Sequence, residues 1–168
     1  MQNLGIEYII KAFPRLLDGF VITIKLSIVS LIGAIVLGFI IGVLMTSKNK
    51  LISFVLRILL EAFRLIHPLI WLVVLFFGVT YVFNIQTDGM VVSFIVFTLW
   101  GAFEIGDLVR SYIKSLPKSQ FESSAAIGLT KIQMYMYVIL PQIIMRSIPS
   151  IVNLATRLIK TTNLIFLI

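Results

Sequence analysis

The sequence contains no cysteine and only one histidine among its 168 residues. The absence of cysteine excludes a disulfide framework, a thiolate metal site and a cysteine nucleophile. His67 alone cannot form a multi-histidine metal site, so no metal site is expected. The sequence also lacks a GxxxxGK(S/T) phosphate loop, an HExxH pair and a GxSxG nucleophile motif. We therefore expect that this chain is not an enzyme and holds no cofactor itself.

Charge is also scarce, since only 12% of the residues are charged whereas 60% are hydrophobic. A soluble domain of this length needs a polar shell that this composition does not supply. The apolar runs approach or exceed the ~20 residues that cross a bilayer as a helix. They are continuous rather than alternating, which favours helices over the strands of a barrel. The composition predicts an all-α, polytopic transmembrane helical bundle that forms one domain over residues 1–168.

The net charge of +7 predicts an orientation in the membrane rather than a nucleic-acid partner. The basic residues cluster at the ends of the apolar runs, as the positive-inside rule requires for cytoplasmic loops. On this basis residues 46–50 and 114–135 are cytoplasmic, whereas residues 84–89, which have no basic residue, are external. The N-terminus is then outside. The lysines that mark the two cytoplasmic segments are Lys48, Lys50, Lys114, Lys118 and Lys131.

The apolar runs divide the chain into successive segments. Residues 1–19 are predicted to form an interfacial helix kinked at Pro14, followed by a first span over residues 20–45. Residues 51–83 are too long for one straight span, and Pro68 offers a break. A third span is predicted over residues 90–112. A further span is expected to begin near Pro141 or Ser147.

Two groups of charged residues lie within these apolar runs. Arg57, Glu61 and Arg64 are spaced at i, i+4 and i+7, which places them on one face of a helix. Charges at membrane depth must face protein or a wet cavity. The group is therefore either a charge ladder on a helix that protrudes into the cytoplasm or a polar wall of a transport path. In the third span, Asp107 and Arg110 are predicted to form a structural ion pair along the helix.

Glu104 lies in the same span and has no partner at i+4. We therefore expect it to line a cavity or to bind a neighbouring helix.

The segment 122–141 is less apolar than the other long runs. Glu122, Ser123 and Ser124 open it, and Gly128 interrupts it. The spacing predicts a short helix over residues 121–127, with Glu122 near its start, where a negative charge suits the helix dipole. Gly128 suits a helix stop with a left-handed backbone, followed by a second helix. The alternative is an ordinary amphipathic loop between two spans.

This segment resembles the EAA loop of ABC-importer permeases, which reads E-A-A, three residues, G, nine residues and I-x-L-P. Glu122, Gly128 and Pro141 match in place, and Ser123 and Ser124 replace the alanines. The resemblance, closest to the polar amino acid branch (histidine, glutamine, glutamate or arginine type), implies a type I importer permease. It implies that the loop docks on a separate ATPase. The coupling residues would be Glu122, Ser123, Ser124, Ala125, Gly128 and Leu129.

The resemblance also implies partners and a location. A separate ABC ATPase subunit would hold ATP and Mg²⁺, and a second permease half, identical or different, would complete the pathway. An extracytoplasmic solute-binding protein would deliver substrate. The complex would lie in the lipid bilayer of the bacterial cytoplasmic membrane as a multi-pass protein. The family continues through one more span beyond residue 168, so the sequence is expected to lack the last span.

A second stretch resembles the family segment E-x-F-R-G-T-P-L-L-x-Q. Glu61 and Arg64 match in place, whereas Leu65, Ile66 and His67 replace glycine, threonine and proline. A further departure is Trp71, which replaces the glutamine. These departures argue against direct substrate contact by this half. His67 is expected to be a buried, satisfied histidine rather than a ligand or proton relay.

The end of the sequence resembles a family element that breaks a helix in mid-membrane. Broken helices in transporters expose backbone groups at binding sites. Lys160 therefore either meets a substrate carboxylate or extends towards the membrane surface. The candidate substrate path comprises Glu61, Arg64, His67, Arg157, Lys160 and Thr161. The alternatives are a permease for another small solute and a half that only scaffolds its partner.

Overall fold

The computed structural model describes residues 3–47, 49–84 and 88–167, and within these ranges all regular structure is helical. The predicted all-α class is confirmed. A π-helical segment over Tyr135–Ile139 joins α6 to α7, and a 3₁₀ helix over Thr162–Leu167 follows α7. The α-helices are α1 (Asn3–Leu44), α2 (Lys50–Leu65), α3 (Pro68–Phe83), α4 (Gly89–Ser115), α5 (Lys118–Ala126), α6 (Lys131–Met134) and α7 (Leu140–Thr161).

Helix α1 is longer than the sequence suggested. It runs without interruption from Asn3 to Leu44 and contains Pro14. No break in the helix separates the segment predicted to lie at the interface, residues 1–19, from the span predicted at 20–45, and the interfacial position of the first segment stays a prediction. Good helix formers surround Pro14, so the helix continues through the position where the proline removes one backbone donor.

The break predicted at Pro68 is present. Helices α2 and α3 are separated by Ile66 and His67 and are bent by 102° relative to each other. Pro68 occupies the first turn of α3, where its missing N–H removes no helical hydrogen bond. The Nδ1 atom of His67 accepts a hydrogen bond from the N–H of Leu69 at 3.3 Å and caps α3. Because His67 is exposed, the expectation of a buried histidine is wrong.

Helices α1 and α4 form the principal packing contact of the bundle. Gly38 of α1 lies against Ile105 of α4, and Gly42 lies against Val109. The contacts advance in the same direction along both helices, so α1 and α4 run parallel. Small residues let the two backbones approach closely, which is how helices in a membrane gain packing energy. The parallel arrangement brings residues 45–47 and 49–50 to the same side as residues 115–117, as the lysine distribution predicts.

Helix α7 runs antiparallel to α4 and crosses it. The hydroxyl groups of Tyr112 and Ser150 lie 3.3 Å apart across this contact. Beyond α7 the chain changes to the 3₁₀ helix, so a change of helix type does occur at Thr161. There the buried hydroxyl of Thr162 lies 2.8 Å from the hydroxyl of Ser27 on α1. This hydrogen bond connects the middle of α1 to the start of the 3₁₀ helix inside the bundle.

Three helical stretches of the described chain are long and apolar enough to cross a membrane: residues 11–44, 89–115 and 131–165. A fourth span results if the bent pair α2–α3 counts as one. The helix that contains the last span begins at Lys131, earlier than the predicted start near Pro141 or Ser147, because α6, the π segment and α7 are continuous. Lys48 and residues 85–87, used in the topology prediction, lie outside the described residues.

Candidate functional site

A pocket of about 260 Å³ opens between helices α2, α4 and α7. Helix α4 provides most of its wall, α2 covers one side, and a single arginine of α7 closes another. Its lining combines apolar and charged side chains. The lining residues are Leu60, Phe63, Arg64, Trp100, Phe103, Glu104, Asp107, Leu108 and Arg157.

Helical periodicity explains which side chains meet in the pocket. The residues that α4 contributes are spaced at i, i+3, i+4, i+7 and i+8, which is one continuous face of a helix. Those of α2 are spaced at i, i+3 and i+4 and form the facing stripe. A sequence search for a charged and aromatic face in the third span would have found the α4 wall. The members of that face are Trp100, Phe103, Glu104, Asp107 and Leu108.

Aromatic rings form one wall of the pocket. The rings of Phe63 and Phe103 stack with centroids 4.9 Å apart, and Trp71 stacks on the other face of Phe63 at 4.4 Å. This layer packs with the small core between α2 and α4 that includes Leu60. Stacked aromatic pairs contribute stability beyond the apolar area that they bury, so these contacts stabilise the wall. The sequence prediction missed it.

Two carboxylates of α4 each bind arginine. The guanidinium of Arg157 on α7 donates to Oε1 of Glu104 and also lies 5.3 Å from the ring centroid of Trp100. The guanidinium of Arg110 donates twice to Oδ1 of Asp107, from Nη2 at 2.9 Å and from Nε at 3.3 Å. The contact expected between Asp107 and Arg110 is therefore present. Glu104 was expected to line a cavity or to bind a neighbouring helix, and it does both.

Arg64 approaches the same site from α2. Its Nη1 atom lies 3.6 Å from Oδ2 of Asp107, an ion-pair distance that is too long for a hydrogen bond. The side chain of Arg64 remains 70% exposed, whereas that of Asp107 is 28% exposed. Asp107 therefore sits between two arginines, one bound closely and one held loosely.

The six candidate residues of the substrate path separate into two groups. Arg64 and Arg157 line the pocket. Glu61, His67 and Lys160 are exposed and do not line it, and Glu61 forms no ion pair with its neighbouring arginines among the described side chains. Thr161 does not line the pocket either. Its hydroxyl donates at 2.8 Å to the backbone carbonyl of Arg157.

The family departures lie beside the pocket rather than in it. Leu65 is 82% exposed, and Ile66 and His67 form the bend between α2 and α3. Trp71 supports Phe63 from behind. These substitutions therefore leave the charged lining unchanged, and they say little about whether this half contacts a solute.

A second candidate site is the segment around α5. Helix α5 ends at Ala126, and Gly128, just after its C-cap, has a left-handed φ of +81°. The N–H of Gly128 donates to the carbonyl of Ala125 at 3.0 Å, and the N–H of Leu129 donates to that of Ser124 at 3.2 Å. This pair of hydrogen bonds is the glycine-terminated helix end that the sequence predicts.

Helix α5 presents one face to the protein and one to its surroundings. Phe121 packs against the core, and the buried hydroxyl of Ser124 donates to the carbonyl of Gln120 at 2.7 Å. Glu122 and Ser123 are exposed, as are Ala125 and residues 126–128. The helix begins at Lys118, earlier than the predicted 121–127. Glu122 is therefore in mid-helix, and the argument that its charge suits the helix start is wrong.

The chain after Gly128 enters the bundle through a second capped helix. Thr130 and Gln133 form a reciprocal capping box at the start of α6. The following π segment leaves room at its end for Gln142, whose amide donates to the carbonyl of Val138 at 3.0 Å. The exposed helix and turn over residues 118–129 are thus joined directly to the span that carries Arg157.

Membrane-length helices packed around a pocket of paired charges, with a capped helix and turn exposed at one side, define a membrane-integral transport protein. A family model described as binding-protein-dependent transport system inner membrane component matches residues 34–168. The chain belongs to this family.

Curated relatives share the resemblance along almost the whole chain. A Rickettsia prowazekii protein named as a glutamine transport system permease is 28% identical over 161 residues, which cover 94% of this chain and 74% of the relative. A Bacillus subtilis protein named as an amino-acid ABC transporter permease, YckA, is 31% identical over 155 residues, or 92% and 68% of the two chains.

Solved structures share the fold. The crystal structure of an amino acid ABC transporter with histidines matches with a TM-score of 0.84 and 21% identity, covering 95% of this chain and 74% of that chain. An inward-facing structure of the MetNI methionine ABC transporter matches with a TM-score of 0.70 and 26% identity, covering 90% and 71%. The type I ABC-importer permease fold implied by the EAA-like segment is confirmed.

Proposed function

We propose that this chain is the membrane-spanning permease subunit of an ATP-driven ABC importer for polar amino acids in the bacterial cytoplasmic membrane. The names of the similar proteins support amino acids as the solute class. The observation that carries the proposal is the pocket, where Arg64, Glu104, Asp107 and Arg157 surround one small volume.

The charges of the pocket suit an amino acid for a physical reason. Charged side chains within membrane spans are costly unless they face a cavity or pair with one another. These four do both, in a chain of which only 12% is charged. An amino acid carries a carboxylate and an ammonium group, so it can bind a guanidinium and a carboxylate at once. The volume of about 260 Å³ is slightly below the ~300–1,000 Å³ of pockets for drug-sized ligands and suits one small solute.

The energy for transport would come from a separate ABC ATPase subunit that holds ATP and Mg²⁺. The exposed face of α5 is the surface on which that subunit would dock, with Glu122 available to a basic group and Ser123, Ala125 and Gly128 keeping the helix slim. A second permease half, identical or different, would complete the pathway, and an extracytoplasmic binding protein would deliver the solute. The exposed Lys160 remains a candidate for an outer part of the path.

The test changes the proposed docking segment and measures transport. Gly128→Val places a β-branched residue at φ +81°, where an L side chain costs roughly 1–2 kcal/mol. We expect the variant to insert normally but to lose co-purification of the ATPase and uptake of labelled L-glutamine together. The matched control is Gly78→Val, because nothing lies within 4 Å of a Cβ at Gly78.

Two results would contradict the proposal. Normal co-purification and uptake in Gly128→Val would show that the segment is an ordinary loop. Failure of the unaltered complex, with its ATPase bound, to transport any polar amino acid would indicate either another small solute or a half that only scaffolds its partner.

A further inference from the structure

The charges around the pocket do not balance. Three guanidinium groups (Arg64, Arg110 and Arg157) meet only two carboxylates (Glu104 and Asp107). The ion-pair network, which includes Arg110 although that residue does not line the pocket, therefore has an excess of one positive charge. Glu61 and Lys160 of the predicted substrate path are exposed, lie outside the lining and have opposite signs, so together they leave this excess unchanged.

The three arginines differ in how firmly they are held. Arg110 is only 19% exposed and donates two hydrogen bonds to one oxygen of Asp107. Arg157 is held by Glu104 and by the face of Trp100, a cation–π contact. By contrast, Arg64 is 70% exposed, and its only acidic contact among the described residues is Asp107 at 3.6 Å. Arg64 is therefore the arginine that no carboxylate binds closely, and its guanidinium donors are available to a ligand.

We propose that Arg64 binds the carboxylate of the transported solute, and that the pocket selects amino acids with neutral or acidic side chains over those with basic side chains. This proposal rests on the proposed function. A guanidinium binds a carboxylate through two parallel hydrogen bonds, a geometry that an exposed arginine can adopt without first breaking one. The ammonium group of the solute then faces the carboxylates of Glu104 and Asp107.

The selectivity follows from the net charge of the occupied site. A solute with a neutral side chain carries no net charge and leaves the excess of one positive charge unchanged, with its own carboxylate against Arg64. A solute with an acidic side chain removes the excess. A solute with a basic side chain raises the excess of the network to two, and like charges placed together at a binding site are strongly unfavourable.

Trp100 provides a readout located in the pocket itself. It lines the pocket and contacts Arg157, and the sequence has only one other tryptophan. The part of the fluorescence change that disappears in a Trp100→Phe complex therefore reports binding in this pocket. Uptake by the same complex in vesicles, measured separately, reports whether the proposed function holds.

The experiment uses the permease assembled with its ATPase and partner half in lipid nanodiscs. The probes are L-glutamine, L-glutamate and L-arginine, whose side chains are neutral, acidic and basic. We expect L-glutamine and L-glutamate to bind at least about tenfold more tightly than L-arginine. Arg64→Gln should weaken L-glutamine and L-glutamate by about tenfold or more and remove the discrimination against L-arginine. Arg57→Gln, which removes the same charge from α2 at a position outside the pocket, should change neither.

Each outcome decides the proposal. Equal binding of L-arginine and L-glutamine by the unaltered complex, or equal effects of Arg64→Gln and Arg57→Gln, would overturn it. Uptake of these amino acids without a Trp100 signal would overturn it and leave the proposed function standing. Absence of both uptake and binding for all three would overturn the proposed function as well.

Discussion

The contact between α1 and α4 gives the sharpest prediction about stability. Gly38 and Gly42 lie one turn apart on α1 and face α4 directly. A Cβ added at Gly38 would lie 2.6 Å from Cβ of Ile105 and 2.9 Å from the backbone carbonyl oxygen of Ala102. The carbonyl cannot rotate away, because it belongs to the backbone of α4. Gly38→Ala must therefore push the two helices apart.

The size of the effect follows from these distances. Carbon atoms pack best at about 3.5–4.0 Å, so the helices must separate by about 1 Å at this point. A gap of that size loses about a quarter to a half of the dispersion attraction of each contact along the interface. Overpacking of a dense interior typically costs about 1–3 kcal/mol, and we expect Gly38→Ala to fall in this range.

The measurement is the free energy of unfolding in detergent micelles or bicelles, for example by thermal or denaturant titration of helical signal. The matched control is Gly78→Ala in α3, where an added Cβ meets nothing within 4 Å. The control should be neutral or slightly stabilised, because alanine favours a helix more than glycine does. Equal stability of Gly38→Ala and Gly78→Ala would refute the close-packing argument.

Two further predictions use positions distant in sequence. Because the chain has no cysteine, single cysteines introduced at Gln86 and Lys118 should label from opposite sides of the membrane; labelling of both by an impermeant reagent in intact cells would contradict the topology. A double-mutant cycle with Ser27→Ala and Thr162→Val should give a coupling of roughly 0.6–1.7 kcal/mol in the free energy of unfolding, the range for hydrogen bonds between helices in membranes. Additive effects would show that their buried contact contributes nothing.

Local chemistry made part of this structure predictable from the sequence. Pro68 removes a backbone donor wherever it stands, so the break between α2 and α3 follows from the residue itself. Gly128 is followed by the threonine and glutamine of a capping box, and its left-handed backbone needs no distant contact. Asp107 and Arg110 are neighbours on any helix that contains both.

Contacts between distant elements were not predictable in the same way. Glu104 and Arg157 are 53 positions apart in the sequence, and the contact between them depends on how α7 crosses α4. His67 looked like a buried residue because it lies in an apolar run, whereas the bend at residues 66–67 turns it outward as a helix cap. Hydropathy predicted where the apolar segments lie in the sequence, but it contains no information on which helices pack against each other.

The π segment at Tyr135–Ile139 has a geometric consequence for everything that follows it. The N–H of Leu140 bonds to the carbonyl of Tyr135, five positions earlier, so this turn contains one more residue than an α-helical turn. One residue of α-helix corresponds to a rotation of about 100° and a rise of about 1.5 Å. Inserting one residue into a regular α-helix would turn everything after it by about 100°, whereas the wider π turn takes up its extra residue within itself. The segment therefore holds one extra residue while keeping Gly128 and Arg157 close to the relative angle that an uninterrupted α-helix one residue shorter would give them.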